Sequence, residues 1–137
     1  MKIYRSKISF GLLIFLTLIF IFIGIQLFKL TNNIVGIITI IITYTFIIYT
    51  FTSNKYTIKG NVLNVKSGFL INENIDISNI KKIKETNNLI SSPAASIDRI
   101  ELFYNKFDSI IISPKNKADF ISELKQINPE IEVFYKK

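Results

Sequence analysis

The chain contains no cysteine and no histidine. The first absence rules out a disulfide framework and a thiolate metal centre. The second removes the commonest metal ligand and the commonest general base near neutral pH, and with it every triad built on imidazole. Acidic residues are also scarce, 10 against 17 lysines and arginines in 137 residues, for a formal net charge of +7. Asp76, Asp98, Glu101 and Asp108 are the carboxylates to weigh as ligands. They lack the spacing of a calcium loop, and strand alternation points several of them outward. Ser78-Asn79-Ile80-Lys81 fits a bare Ser-x-x-Lys pattern, but the segment around it is far too small for the fold that uses that pattern. No glycine-rich phosphate loop is present. The expectation is a non-enzymatic chain with no metal, no cofactor and no nucleic-acid partner.

What the sequence has is apolar length. From Ile8 to Phe51 the only charge is Lys29. Residues 8–28 and 34–52 are each long enough to cross a hydrocarbon layer of about 30 Å at 1.5 Å per residue. Residues 29–33 leave room for a turn alone, so the two spans are expected to be antiparallel. A cleaved leader is the competing reading, but the apolar stretch is too long and lacks a small-residue cleavage site. Lys2, Arg5 and Lys7 precede the first span, and Lys55, Lys59 and Lys66 follow the second. The positive-inside rule then places residues 1–7 and 53–137, with both termini, in the cytoplasm, and 29–33 outside a bacterial cell membrane. Thr17 and Gly24 on the first span, and Gly36, Thr39 and Thr43 on the second, form small-residue stripes suited to close helix packing. These stripes would close the hairpin or support a homo-oligomer.

The remaining residues, about 85, suffice for one small core. Tyr56 and Ile58 alternate with polar residues, Gly60-Asn61 is a two-residue hairpin turn, and Val62–Val65 returns. Ser67-Gly68 and Asn72-Glu73-Asn74 read as two further turns. Ile75–Ile77 with Ile80 and Ile83, then Ile97–Tyr104 and Ile110–Ile112, read as strands on either side of a polar loop over Thr86–Ala95. Phe120, Ile121, Leu124 and Ile127 have helical spacing, with Asn116 as N-cap and Pro129 as the stop. A last strand is expected around Ile131, Val133 and Tyr135. The fold class is therefore a membrane α-hairpin followed by a mainly β, α+β domain.

Several stretches resemble the bacterial PH-like domain of YyaB-type membrane proteins, over about Lys55 to Asn128. They are Ser67-Gly68-Phe69, the isoleucines of 75–80, the run Ser91-Ser92-Pro93-Ala94-Ala95-Ser96-Ile97-Asp98-Arg99-Ile100, and Ser113-Pro114-Lys115 through Phe120. The resemblance implies a PH-like antiparallel barrel closed by a C-terminal helix. The immunity protein against the bacteriocin sublancin is similar in domain type and membrane attachment.

Lys55, Lys59, Lys66, Lys81, Lys82 and Lys84 are candidate contacts to an anionic membrane surface, or ordinary edge and topology charges. The motif residues Ser91, Ser92, Pro93, Asp98, Arg99, Ser113, Pro114 and Lys115 read as a hydrogen-bonded structural corner or a partner-binding edge. The functional expectation is a membrane-anchored binding module at the inner leaflet whose partners are the lipid bilayer, a protein or a second copy of the chain. Bacteriocin self-immunity and an accessory role in a membrane complex are the alternatives.

Overall fold

Lys2–Arg5, expected only as a basic flank, is a β-strand, β1. In the computed structural model, which describes residues 1–31, 34–87, 96 and 98–136, it is followed by two helices, α1 (Phe10–Thr31) and α2 (Ile34–Thr52). Both are apolar around their whole circumference, and no residue of their apolar stretches is buried inside the protein. The helices pack on each other. The Thr17 hydroxyl lies 2.9 Å from that of Tyr44, and the Phe20 and Tyr44 rings are 5.4 Å apart. On α2 the hydroxyls of Thr39, Thr43, Thr45, Thr50 and Thr52 donate to carbonyls three or four residues back. This satisfies each polar group within its own helix, the arrangement a water-free surrounding demands.

The chain then forms β2 (Asn54–Lys59), β3 (Val62–Ser67), β4 (Ile71–Asp76), a 3-10 turn (Ile77–Asn79), β5 (Ile80–Thr86), β6 (Arg99–Tyr104), β7 (Asp108–Ile112), α3 (Lys117–Ile127) and β8 (Glu132–Phe134). They make two four-stranded sheets, ordered β1-β2-β3-β4 and β7-β6-β5-β8. The inner face of the first sheet carries Tyr56, Ile58, Leu63, Val65 and Ile75. The second contributes Ile80, Ile83, Ile100, Leu102 and Ile112, and α3 adds Phe120, Ile121 and Leu124. Fully burying each such side chain is worth about 1.5–3 kcal/mol, so one shared core holds both sheets and the helix.

Several features differ from what the sequence predicts. Asn72-Glu73-Asn74, expected as a turn, is the middle of β4. The Asn64 side-chain amide donates to both Asn72 and Asn74 at 2.8 Å, so a polar ladder replaces the usual apolar alternation. The turn expected at Ser67-Gly68 runs on through Phe69 and Leu70, which sit between β3 and β4. Asn116 makes no side-chain cap, and β8 pairs with β5 in parallel, so the domain is not wholly antiparallel. Finally, among the described residues the strand ladders form two packed sheets and no closed ring. Among the described residues, an isolated bridge between Ser6 and Pro114 joins the first sheet's N-terminal segment to the end of β7.

The Gly60-Asn61 turn does form, with Lys59 opposite Val62 and Gly60 at φ +56°. Such turns take glycine because their first position has positive φ.

Candidate functional site

The residues that connect the helical hairpin to the sheets are held by a network of hydrogen bonds and ion pairs. β1 pairs with β2 in antiparallel register, Lys2 opposite Ile58 through Arg5 opposite Lys55. The apolar hairpin is therefore the connection between two neighbouring strands of one sheet. One residue, Ser53, separates α2 from β2.

β1 is gripped on its other side as well. Tyr4 sets its ring edge-on to Phe120 at 5.1 Å and donates its hydroxyl to Asp119 at 2.8 Å. Burial first, then the Asp119 carboxylate, pushes the Tyr4 phenol up to about 12. Lys2 pairs with Glu123 at 2.6 Å. Beyond β1, the Ser6 and Ser113 hydroxyls lie 2.9 Å apart, and Lys7 N–H donates to the Ser113 carbonyl at 2.7 Å. The Tyr56 hydroxyl donates to Ser6 at 3.3 Å and accepts from the Ser113 N–H at 3.2 Å. Lys115 N–H donates to the Arg5 carbonyl. Ser113, Pro114 and Lys115, singled out in the sequence as a motif, thus form the clamp that receives the N-terminal strand.

Asp98 completes the junction. It accepts from Lys7 at 2.8 Å and from Lys117 at 2.7 Å, while Lys117 reaches Glu85 at 2.5 Å. The Lys117 and Lys7 contacts hold the Asp98 carboxyl below the usual range, and Lys117 does the same for Glu85. Burial pulls the Lys117 ammonium down, but the two carboxylates outweigh it and its pKa is raised. Asp98, just before β6, is half-exposed, whereas Arg99, the first residue of the strand, is buried. The Arg99 Nε donates to the Ser96 carbonyl, and burial lowers its pKa. Ser91, Ser92 and Pro93 lie outside the described residues.

The six candidate lysines are not one patch. Lys55 and Lys66 are cross-strand partners on the exposed face of the first sheet, close to the end of α2. Lys59 is on the same face but at the other end of β2, about 13 Å away at strand rise. Lys81, Lys82 and Lys84 belong to the second sheet. Lys82 lies 4.5 Å over the Phe134 ring and 5.6 Å over Phe103. Arg5, which the sequence reading treated as a topology signal only, is the partner of Lys55 and extends that row.

In the hairpin, Thr17 and Gly24 line an apolar cleft between the helices with Phe20 and Ile21. On α2 its wall is Ile37, Ile40, Ile41 and Tyr44. Thr39 and Thr43 are exposed on another face of α2, and Gly36 is half-buried. Of the two small-residue stripes, only Thr17 and Gly24 of the first span line this cleft, and they face Ile37, Ile40, Ile41 and Tyr44 across it.

Asp76, Glu101 and Asp108 have local partners of their own: Ser78, Ser109 and Asn105. Among the described residues no group of three or more acidic side chains converges on a point.

A protein-family model, the bacterial PH domain, matches residues 54–128, more than half of the chain. The chain belongs to the bacterial PH domain family. No curated protein and no solved structure matches it. The matched span of the bacterial PH domain runs from β2 to the end of α3. β1 and β8 lie outside it, one at the edge of each sheet, and the apolar hairpin joins the unmatched β1 to the domain's first matched strand.

Proposed function

We propose that the chain is a membrane-anchored, non-enzymatic bacterial PH module. In this reading α1 and α2 cross the cell membrane, and the domain is held at the inner leaflet to bind a protein or the membrane surface. The observation that carries it is the insertion of the apolar hairpin between two paired strands. β1 and β2 lie one strand spacing apart, about 4.8 Å, so both ends of the hairpin leave from the same side. Helices apolar all round, with no residue of their apolar stretches buried by protein, need an apolar surrounding. A cleaved leader fits poorly, since cleavage would remove a strand that the sheet, α3 and the Ser113 clamp all hold.

The charges agree in sign. Lys2, Arg5 and Lys7 flank one end of the hairpin, Lys55, Lys59 and Lys66 follow the other, and Lys29 stands alone near its turn. That bias favours a cytoplasmic domain. The likeness to YyaB-type membrane proteins supports the same arrangement. PH domains in general bind rather than catalyse, and the junction chemistry described above is structural.

The absence of cysteine makes the test direct. In intact cells, K29C should react with a membrane-impermeant maleimide, whereas I3C and K106C should react only after the cells are opened. Labelling of K106C in intact cells, or of I3C and K106C from opposite sides, would contradict the topology.

A further inference from the structure

The first sheet and α2 together present a surface of defined chemistry where they meet. Arg5, Lys55 and Lys66 stand side by side on neighbouring strands, Arg5 opposite Lys55 and Lys55 opposite Lys66, all three exposed. Like charges placed directly across a sheet repel. Among the described residues none of the three has a carboxylate within ion-pair distance, and the chain contains no acidic residue before Glu73. Three strands thus hold an uncompensated row of cations about 4.8 Å apart.

Beside that row the β3–β4 turn carries two apolar side chains outward. Phe69 is 67% exposed and Leu70 is 62% exposed, at a turn where polar residues are the rule. The turn lies against α2. The Phe69 ring is 5.8 Å from Phe46 and 6.3 Å from Tyr49, and Gly68, at φ +55°, sits where an added Cβ would meet the Tyr49 ring at 3.4 Å. Phe46 is six residues before the end of α2, about 9 Å along the helix axis. That is the depth at which interfacial apolar side chains lie in the headgroup and acyl boundary. Lys66 is three residues before Phe69 and Lys55 three after Thr52, which sets the cation row one level above the aromatic tip.

We infer that the β3–β4 turn dips into the membrane beside α2 and that the Arg5–Lys55–Lys66 row binds the headgroups of anionic phospholipids. The inference rests on the hairpin spanning the membrane. It adds a third membrane contact, made by the domain itself, and a lipid class. Phe69 and Leu70 fix the tilt of the sheet, and the cation row neutralises its own repulsion on lipid phosphates.

The chain has no tryptophan, so one introduced indole reports alone. Full-length F69W is placed in phosphatidylcholine nanodiscs containing either brominated phosphatidylglycerol or brominated phosphatidylcholine at equal mole fraction. L70W serves as a second reporter of the same turn, and I42W, in α2, reports insertion of the hairpin. The expected result is quenching of F69W by both lipids, stronger by at least about threefold with phosphatidylglycerol. Adding R5Q, K55Q and K66Q together should bring that ratio toward one without loss of folding, because all three side chains are exposed. If I42W is quenched while F69W and L70W emit as in water, the turn does not enter the membrane and the inference fails alone. Equal quenching by the two lipids overturns the headgroup site. If I42W also escapes quenching, the membrane-anchor reading fails with it.

Discussion

Single side chains at the junction carry more of the architecture than their number suggests. Tyr56 is fully buried and serves β2, the Ser6 hydroxyl and the Ser113 N–H at once. Y56F would leave those partners without the hydroxyl, so a loss of about 1–3 kcal/mol is expected in urea unfolding of the detergent-solubilised protein. Burial raises its phenol above the ordinary tyrosine value, in keeping with a hydroxyl that stays protonated. Asp98 and Glu85 have depressed pKa values, which fixes a sign for pH dependence. Their ties to Lys7 and Lys117 are fully present above the unfolded carboxylate value, near 4, and are lost as pH falls through the lower folded values. D98N should therefore cost about 1 kcal/mol at neutral pH, since the pair with Lys7 is half exposed, and should flatten the acid limb of the stability curve. A variant with an unchanged acid limb would show that the ties contribute nothing. Tyr4 has the opposite sign: its contribution is complete below about pH 10 and is lost as pH rises toward about 12. Ultraviolet titration of the phenolates should show Tyr4, Tyr56 and Tyr104 lagging behind the others, and Y4F should remove one group from that late fraction.

At the level of elements, β1 is the piece whose role the sequence conceals. Four residues with two cations and two apolar side chains read equally well as a topology signal. Their strand character depends on partners more than fifty residues away, in β2, α3 and the Ser113–Lys115 clamp. The helices, the Gly60-Asn61 turn, α3 and the strands at Val62, Ile80, Arg99 and Ile110 were legible, because apolar periodicity and turn chemistry are local. The continuous β4 was not, since Asn64 bonding to Asn72 and Asn74 is a cross-strand event. The parallel pairing of β8 was equally hidden, because Asn128 turns the chain by donating to the Ile77 and Ile80 carbonyls across the fold. The motif residues Asp98, Ser113, Pro114 and Lys115 could be picked out in the sequence, while what they hold could not. Of the candidate lysines, register alone separates Lys55 and Lys66 from the rest and adds Arg5. Y4A tests the element directly. It removes a buried ring and the bond to Asp119, so a loss of about 3–5 kcal/mol is expected. A loss below about 1 kcal/mol would mean that β1 is dispensable to the sheet.

The molecule as a whole is a bacterial PH domain with an apolar helical hairpin built into a strand connection. A domain on a single linker can swivel. Here two strands of one sheet continue into the hairpin, one across four residues and the other across Ser53 alone. With the hairpin in a bilayer, as proposed, the orientation of the domain at the membrane follows from this double connection. On the proposed reading, β1 and β2 stay paired when the hairpin lies in the membrane. Ile3 and Thr57 are cross-strand partners, and the chain has no cysteine to interfere. Neighbouring strands bring such partners within the Cα separation a disulfide requires, about 4.4–6.8 Å. I3C/T57C, expressed at native level and oxidised in isolated membranes, should form an intramolecular disulfide in nearly every molecule, and I3C/K106C should form none. Failure of I3C/T57C to cross-link while the protein remains folded and membrane-bound would contradict that pairing.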